Sequence, residues 1–561
     1  MDTSGKSYFK VEGTPHGDGP HNIPDCIKRL AESRGENEAF VFADHGGGRQ
    51  GVTFAEIYKK CVEVARSLIQ LGVKKGELVA INVRSCPEWL YFAFGIMFAG
   101  AVPVSISFTY KDGSDLIALM EKLKTCCLLA LDPGEDGWNW EIVKNLLDSY
   151  HPDGTASSRK LPSLRYIIGH EVVNTKQMHG VKTIQELIDG GKSTVTFPAL
   201  DADDLAFLVQ TSGSTGVPKL VAHTHRSIMS VLQLTSFGIL DSSVVQYNDR
   251  PFTWIGGFPL SIMSGQKRVT VSGFSPKPKN RVACVIDIVQ REKCTLLTAL
   301  PPMLHELICT QNIPEDWPVK VVLTGGQPLT KGVARAIGKV APSISPAYGG
   351  TEFLIASSAE INDQSAFQEF FSGKIAKIAG LEVKIVDENG DTVPVNTRGE
   401  VYIRSPGMFK EYYNDPDKTA AVLTDDGWYI TDDIGMMTSD ADLFVYGRKS
   451  NMIISGGMNV TPEILEHAIK TCPGVATVVV VPVPDEVYYQ VLCACVIRRN
   501  GSNVTEEQLR RYCDEIHNDS PGMFTVLPKY YMFFEAFPET ITGKTNRVEL
   551  IKMATEAFRA T

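Results

Sequence analysis

Up to about residue 200, stretches with helical spacing such as FAEIYKKCVEVARSLIQLG alternate with uninterrupted apolar runs such as LVAINV and CCLLALD. A strand that is apolar on both faces needs cover on both faces, and a helix between consecutive strands supplies it. The alternation therefore predicts parallel βαβ units. A second series follows through LAFLVQ, the helix-like RSIMSVLQL, CTLLTALPPML and VKVVLTGG. From Gly373 the rhythm changes to short strands, with LEVKIVDENGDTV reading as a hairpin and GEVYIRSP as a strand. After YGRK (Tyr446 to Lys449) it changes again. VTPEILEHAIKTC and EEQLRRYCDEI read as helices, VATVVVVPV and VLCACVIRR as strands, so a small α+β unit is expected beyond Lys449.

One run tests this reading. LYFAFGIMFAGAVPVSISF (Leu90 to Phe108) carries no charge and is nominally long enough to cross a bilayer. Gly100 and Pro103 divide it into a helical half and a β-branched half, which predicts a helix followed by a buried strand.

The apolar run LAFLVQ ends in TSGSTGVPK, Thr211 to Lys219. Gly213 and Gly216 let backbone N–H groups turn inward, Thr211, Ser212, Ser214 and Thr215 add hydroxyl donors, and Lys219 adds a point charge. Such a loop suits a polyanion, while a polar turn after a strand is the plainer alternative. It is not a Walker loop, because Val217 and Pro218 separate Gly216 from Lys219. Nor is it a hydrolase elbow, since Thr215 intervenes between Ser214 and Gly216. GKS at Gly191 and GKT at Gly543 lack the earlier glycine, with Glu186 and Pro538 in its place.

Further stretches share the loop's character: TGGQPL (Thr324 to Leu329), AYGGTE (Ala347 to Glu352), WYITDDIG (Trp428 to Gly435), GRKSNMIISGGMNVTPEILE (Gly447 to Glu466) and PETITGKTNR (Pro538 to Arg547). Together with TSGSTGVPK, in this order, they resemble the adenylate-forming superfamily of acyl-CoA synthetases, beetle luciferases and peptide-synthetase adenylation domains. RSCPEWLYFAFGIMFAGAVPV (Arg84 to Val104) is similar to that family's early helix–strand motif, and the resemblance covers nearly the whole chain. Pattern and resemblance together predict an α/β and α+β multidomain protein. A large N-terminal domain, residues 1–448, would hold two βαβ-type subdomains and a small β-barrel-like part. It would be hinged to a mobile C-terminal α+β domain, residues 449–561.

The resemblance implies ATP, Mg²⁺ and CoA, with a carboxylate attacking the α-phosphate to give acyl-AMP and a thiol then displacing AMP. Thr211, Ser212, Gly213, Ser214, Thr215, Gly216 and Lys219 would hold the β- and γ-phosphates. Gly325, Gly326, Gln327, Tyr348 and Gly349 would line adenine. Thr351 would bond the α-phosphate, and Glu352 would hold Mg²⁺, a hard cation that prefers oxygen ligands. Asp433 would accept from the ribose hydroxyls, Arg448 would reach the ribose and phosphates, and Lys544 would contact both the incoming carboxylate and the α-phosphate.

The acyl slot is expected at PFTWIGGF (Pro251 to Phe258), with Trp254, Gly257, Phe258 and Gly350 at the substrate and the glycines leaving room. Apolar and aromatic side chains there suit a fatty or aryl acid. Gly456 and Gly457 would let CoA's pantetheine pass, while the family's hinge, near Lys449, turns the last domain between the two half-reactions. Lys277, Lys279 and Arg281 are a candidate patch for the CoA phosphates, with a solvated loop as the plainer reading.

Three departures stand out. The family usually has T-G-D where this chain has Thr431-Asp432-Asp433, a glycine where Leu220 stands, and a Lys or Asp pair at the hinge in place of Ser450-Asn451. They keep an inactive nucleotide- or acyl-binding homologue as one alternative. A luciferase-like oxygenase is the other, disfavoured because luciferases usually carry a lysine where Ile454 stands.

A formal net charge of −10 argues against nucleic acid as a partner. The 12 cysteines form no C-x-x-C spacing and read as reduced core thiols. MDTSGKSYFKVEG has no apolar signal core and the final EAFRAT is no S-K-L type address, so cytoplasm is the default expectation.

Overall fold

In this computed structural model the described residues are 5–13, 20–107, 112–134, 137–170, 181–211, 219–237, 241–275, 278–299, 301–310, 313–326, 329, 334, 336–363, 365, 367–368, 370–455, 458–485, 488–519, 526–540 and 544–558. The first βαβ series builds a seven-stranded sheet. Its order is Glu411–Tyr412, Lys219–Thr224, Leu205–Thr211, Val102–Ser105, Leu78–Asn82, Cys126–Leu131, Tyr166–Gly169. The five strands from Leu205–Thr211 to Tyr166–Gly169 run parallel. From Leu78–Asn82 the chain steps to one side, to Val102–Ser105, and then crosses back to Cys126–Leu131 on the other. Strand order thus reverses between Leu78–Asn82 and Cys126–Leu131, which opens a crevice at their carboxyl ends.

The uncharged Leu90–Phe108 run resolves as expected into the helix Pro87–Phe98 and the buried strand Val102–Ser105. Gly100, at φ 75°, closes the helix: its N–H donates to Met97 O and that of Ala101 to Ile96 O. That pair of bonds is a Schellman cap, whose left-handed residue favours glycine. The helix is buried almost all round, and Phe92 and Phe94 each contribute roughly 1.5–3 kcal/mol by leaving water. Among the described residues, no helix is long and apolar enough to cross a membrane.

The second series builds the parallel half of a fourteen-stranded sheet, from Glu38–Ala43 through Lys267–Val271, Val245–Tyr247, Leu296–Thr298 and Val321–Gly325 to Ser343–Tyr348. Antiparallel strands carry the sheet on, among them Phe371–Ile375, Asp442–Arg448, Tyr429–Met437, Gly399–Arg404 and Glu382–Val386. The expected helix over RSIMSVLQL is only partly α: His225–Met229 is helical and Ser230–Phe237 tightens to 3₁₀. Ser227 and Ser230 side chains donate to the carbonyls of Thr224 and Ser227, the local competition that tightens a helix. Beyond Lys449, Ile453–Ser455, Met458–Val460, Val475–Asp485, Tyr489–Arg498 and Tyr530–Phe534 form a separate five-stranded sheet with the helices Pro462–Lys470, Glu506–Asp519 and Arg547–Phe558.

Candidate active site

The loop TSGSTGVPK proves to be the connection of a β-hairpin. Thr211 ends one strand, Lys219 opens the next, and the two are direct antiparallel partners. Ser212, Gly213, Ser214, Thr215 and Gly216 lie outside the described residues, so the hairpin fixes only the mouth of the loop. Lys219 Nζ sits 4.5 Å from the centre of the Tyr412 ring and 3.5 Å from its hydroxyl. Tyr412 Oη in turn donates to Glu352 Oε1 at 2.9 Å. Burial and the Glu352 charge push the Tyr412 hydroxyl far above the ordinary phenol range, so it stays a donor at every working pH.

Glu352 is fixed from several directions. His223 Nε2 donates to Thr351 O at 2.7 Å, and Phe409 N–H donates to Glu352 O at 2.7 Å. His223 is fully buried and stacked against Phe207, and burial lowers its pKa to about 4, so the ring is neutral near pH 7. With the proton on Nε2, its Nδ1 faces Ser227 Oγ at 3.0 Å. The stretch from Gly350 to Leu354 is cross-tied N–H to C=O in both directions, at 3.2 and 2.9 Å. Leu354 takes φ 61° there, a strained conformation for a branched side chain.

A second cluster lies where the antiparallel strands Tyr429–Met437 and Asp442–Arg448 pair, with Asp433 directly opposite Arg448. Asp433 accepts from Tyr348 Oη at 2.6 Å on one oxygen and from Arg448 Nε at 2.9 Å on the other. Arg448 also donates to Thr431 O at 2.8 Å, and Thr431 Oγ1 accepts from Asp433 N–H at 3.0 Å. Burial raises the Asp433 pKa above the ordinary carboxylate value despite the opposing pull of Arg448 and Tyr348. A belt of rings joins the clusters: Tyr348 to Phe353 at 5.3 Å, Phe353 to Tyr429 at 5.8 Å, Tyr429 to Phe409 at 5.7 Å and Phe409 to Tyr412 at 5.0 Å.

Gly325 ends the parallel strand beside Ser343–Tyr348, pairing with Ala347, and Gly326 follows at φ 82°. Gln327 lies outside the described residues, as do Gly456, Gly457 and Lys277. Lys544 is exposed, in a turn where Thr540 N–H donates to Lys544 O at 2.7 Å. Among the described residues no hydrogen bond or ion pair joins it to either cluster. Arg281, from the candidate CoA patch, instead pairs with Asp249 at 3.0 Å.

The acyl slot differs from expectation in how its glycines are used. A Cβ on Gly257 would come within 1.9 Å of Pro251 O, and one on Gly349 within 2.1 Å of Leu354 O. A Cβ on Gly350 would meet the Phe353 ring at 2.6 Å. The space these glycines leave is filled by the fold itself. Phe258 is core, stacked at 4.2 Å on Phe207, whereas Trp254 is 36% exposed. Beneath this loop, the fully buried Arg268 guanidinium donates to the carbonyls of Asn248, Arg250, Gly257 and Phe258.

Sequence reasoning missed Tyr412, Tyr429, His223 and Arg268. Tyr412 reaches the site only because Glu411–Tyr412 adds to the sheet edge opposite Val221 and Ala222. A histidine inside the apolar strand KLVAHT was the one sequence signal for His223.

Comparison with known proteins gives the family. A family model described as AMP-binding enzyme matches residues 27–413, and one described as AMP-binding enzyme C-terminal domain matches residues 465–544. The medium-chain acyl-CoA ligase ACSF2 of Danio rerio is 26% identical, over 94% of this chain and 87% of its own. The 4-coumarate–CoA ligase-like 2 of Arabidopsis thaliana is 27% identical, over 98% and 94%. Among solved structures, the anthranilate CoA ligase AuaEII in complex with anthranoyl-AMP superposes with TM-score 0.81 at 22% identity, covering 97% of this chain and 99% of that one. ATP-bound MatB from Rhodopseudomonas palustris gives TM-score 0.78 at 20% identity, covering 96% and 100%. With both family models matched in order along the sequence, the chain belongs to the AMP-binding enzyme family, the adenylate-forming enzymes that its motifs resemble.

Proposed function

We propose that the protein joins an apolar carboxylic acid, fatty or aryl, to CoA through an acyl-AMP intermediate. The observation that carries this reading is the pair of tyrosine-anchored carboxylates, Glu352 beside Lys219 and Asp433 beside Arg448, joined by one aromatic belt. A site for a nucleoside triphosphate needs a cation and a metal-binding carboxylate at its phosphate end and a hydroxyl acceptor at its ribose end. This arrangement offers both. The relatives' names, a medium-chain acyl-CoA ligase and a 4-coumarate–CoA ligase-like protein, support an apolar acid.

In the first step an acid oxygen attacks the α-phosphorus and pyrophosphate leaves. Lys219 and Thr211, at the mouth of the hairpin, bind the departing phosphates, and Thr351 donates to the α-phosphate. Each Asp433 oxygen uses one acceptor position on Tyr348 or Arg448 and keeps another for a ribose hydroxyl. A lone hard carboxylate oxygen donor at Glu352 fits Mg²⁺, which keeps most of its shell for water and phosphate. When bound there, the ion neutralises phosphate charge. Lys544, carried by residues 449–561 turning against residues 1–448, meets the acid and the α-phosphate. In the second step a thiolate of CoA attacks the acyl carbonyl, AMP departs, and the thiol proton goes to solvent. The Gly456–Gly457 stretch faces the pantetheine in that step.

The test is AMP and pyrophosphate release from MgATP over a ladder of straight-chain and aryl acids, with and without CoA. CoA-dependent turnover peaking at one chain length or ring is expected. Measurable ATP binding without release for any acid would overturn the reading in favour of a binding homologue, and AMP release with light emission would make it a luciferase-like oxygenase.

A further inference from the structure

We propose that Cys86, Glu88 and His170 form a binding site for one zinc ion at the switch point of the seven-stranded sheet. Cys86 precedes the helix Pro87–Phe98 as its N-cap residue, and Glu88 lies in that helix's first turn. His170 immediately follows the strand Tyr166–Gly169. All three therefore gather at the carboxyl edge where strand order reverses, the place in a parallel sheet at which helix and strand ends leave a crevice.

The donor atoms have the right types and spacing. Cys86 Sγ is 3.4 Å from His170 Nε2, and that nitrogen is 3.6 Å from Glu88 Oε2. All three ligand atoms lie within 4.8 Å of one another. A tetrahedral zinc with ordinary bond lengths separates its sulfur and nitrogen ligands by about 3.6 Å and its nitrogen and oxygen ligands by about 3.4 Å. The two separations from His170 Nε2 need shifts of only tenths of an ångström. A sulfur, a nitrogen and a carboxylate oxygen thus converge on one point.

The surroundings hold the ligands in place. The His170 ring stacks on the Phe274 ring at 4.7 Å, almost parallel, and the Arg84 guanidinium lies 4.2 Å from the centre of the Phe274 ring. Arg84 is paired with Asp132 at 2.5 Å, so its charge is matched before it reaches the site. Phe274 comes from the other large sheet, just past Lys267–Val271, and Gly273 N–H donates to Ser85 O at 2.7 Å. An ion here would tie two chain segments, at Cys86 to Glu88 and at His170, with Phe274 of the other sheet packed on the His170 ring. Cys86 and the His170 ring are buried, while the Glu88 side chain keeps 25% exposure and gives an entry path. Binding replaces the thiol proton of Cys86, which goes to solvent, and leaves the fourth position to water.

The full chain, stripped with a chelator, is titrated with Co²⁺ and then with Zn²⁺. One equivalent of Co²⁺ giving a thiolate-to-cobalt charge-transfer band, displaced by Zn²⁺, is expected. Cys86→Ser should abolish the band. Glu88→Gln, which keeps the thiol and a near-identical shape, should weaken Zn²⁺ binding by at least about 10-fold. Cys309→Ser, at an exposed thiol, should change neither. Absence of the band in the parent protein, or a band of equal strength in Cys86→Ser, overturns the site. Should Cys86→Ser not fold, unchanged affinity in Glu88→Gln overturns it instead. None of these readouts depends on the ligase reaction.

Discussion

Tyr412→Phe tests the phosphate end of the site at a single atom. The substitution removes the hydroxyl that donates to Glu352 Oε1 at 2.9 Å and leaves the ring under Lys219 Nζ. A hydrogen bond to a charged acceptor contributes about 1.5–3 kcal/mol. Glu352 keeps its backbone anchor from Phe409, so the loss falls on the orientation of its carboxylate and not on the path of the chain. If that orientation is needed to hold Mg²⁺ against the phosphates, kcat/KM for MgATP should fall about 10- to 100-fold, at about 1.4 kcal/mol per decade. The free Mg²⁺ needed for half-maximal rate should rise with it. Pyrophosphate release at varied MgATP and varied free Mg²⁺ measures both, and a thermal melt shows whether the fold is intact. A ring-preserving change in a chain this long should move the melting temperature by less than about 3 °C. A kcat/KM within twofold of the parent at every Mg²⁺ concentration would refute the reasoning. So would a large fall in melting temperature that accounts for the lost activity.

The ribose end answers to Asp433→Ala, which leaves the buried Tyr348 hydroxyl and the Arg448 guanidinium without their carboxylate. KM for ATP should rise at least about 10-fold and stability fall by about 1–3 kcal/mol, readable by steady-state kinetics and urea unfolding, whereas an unchanged KM would remove Asp433 from the nucleotide site. Lys544→Ala should lose acyl-AMP formation yet still convert supplied acyl-AMP to thioester, and equal loss of both half-reactions would sink that division of labour. His223 and His225 are buried as neutral rings, each with a pKa lowered from 6.5 to about 4. The unfolded chain therefore binds more protons than the native one between those values, and stability should fall as pH drops from 6.5 toward 4. Each ring contributes up to about 3 kcal/mol at the acid end of that window. A urea midpoint that stays flat down to about pH 5 would contradict the burial argument.

Much of the fold was legible because the two sheets are written in local pattern. The uncharged run at Leu90–Phe108 gave up its helix and its strand to local pattern alone, since Gly100 and Pro103 punctuate it. The site was legible only in part, for physical reasons that differ by residue. Lys219 and Thr211 announced themselves through glycines and hydroxyls near in sequence. Tyr412 did not, because a two-residue edge strand recruited across nearly two hundred positions places it there. Cys86 was read with the other cysteines as a reduced core thiol and neither Glu88 nor His170 was singled out, since metal spacing was sought along the chain and this cluster forms between chain segments. The glycines of PFTWIGGF and AYGGTE read as spare volume. Gly257 and Gly349 show the opposite cause, a backbone carbonyl already standing where a Cβ would be.

Two departures from the family pattern looked independent in the sequence and meet in the structure. Asp432, where the family prefers glycine, takes φ 63° at a bulge opposite Glu400 and Tyr402. Glycine adopts that conformation without cost, and aspartate is among the few other residues that visit it routinely. Its carboxylate accepts from Ser450 Oγ at 2.5 Å, and Ser450 is the first of the two unusual hinge residues. Asn451, the second, donates to Glu463 at 2.8 Å, and Lys449 pairs with Glu400 at 2.7 Å. The extra acid is thus engaged by Ser450, at the expected hinge. The exposed Asp432–Ser450 contact contributes about 0–1 kcal/mol. If residues 449–561 turn as the resemblance implies, ties of this size would bias their resting position without locking it, and the departures are compatible with turnover. Asp432→Gly should restore the family's backbone freedom and release Ser450. If the tie slows domain rotation, the second half-reaction should run faster in that variant while acyl-AMP formation stays put. A change confined to acyl-AMP formation would instead return Asp432 to the phosphate site.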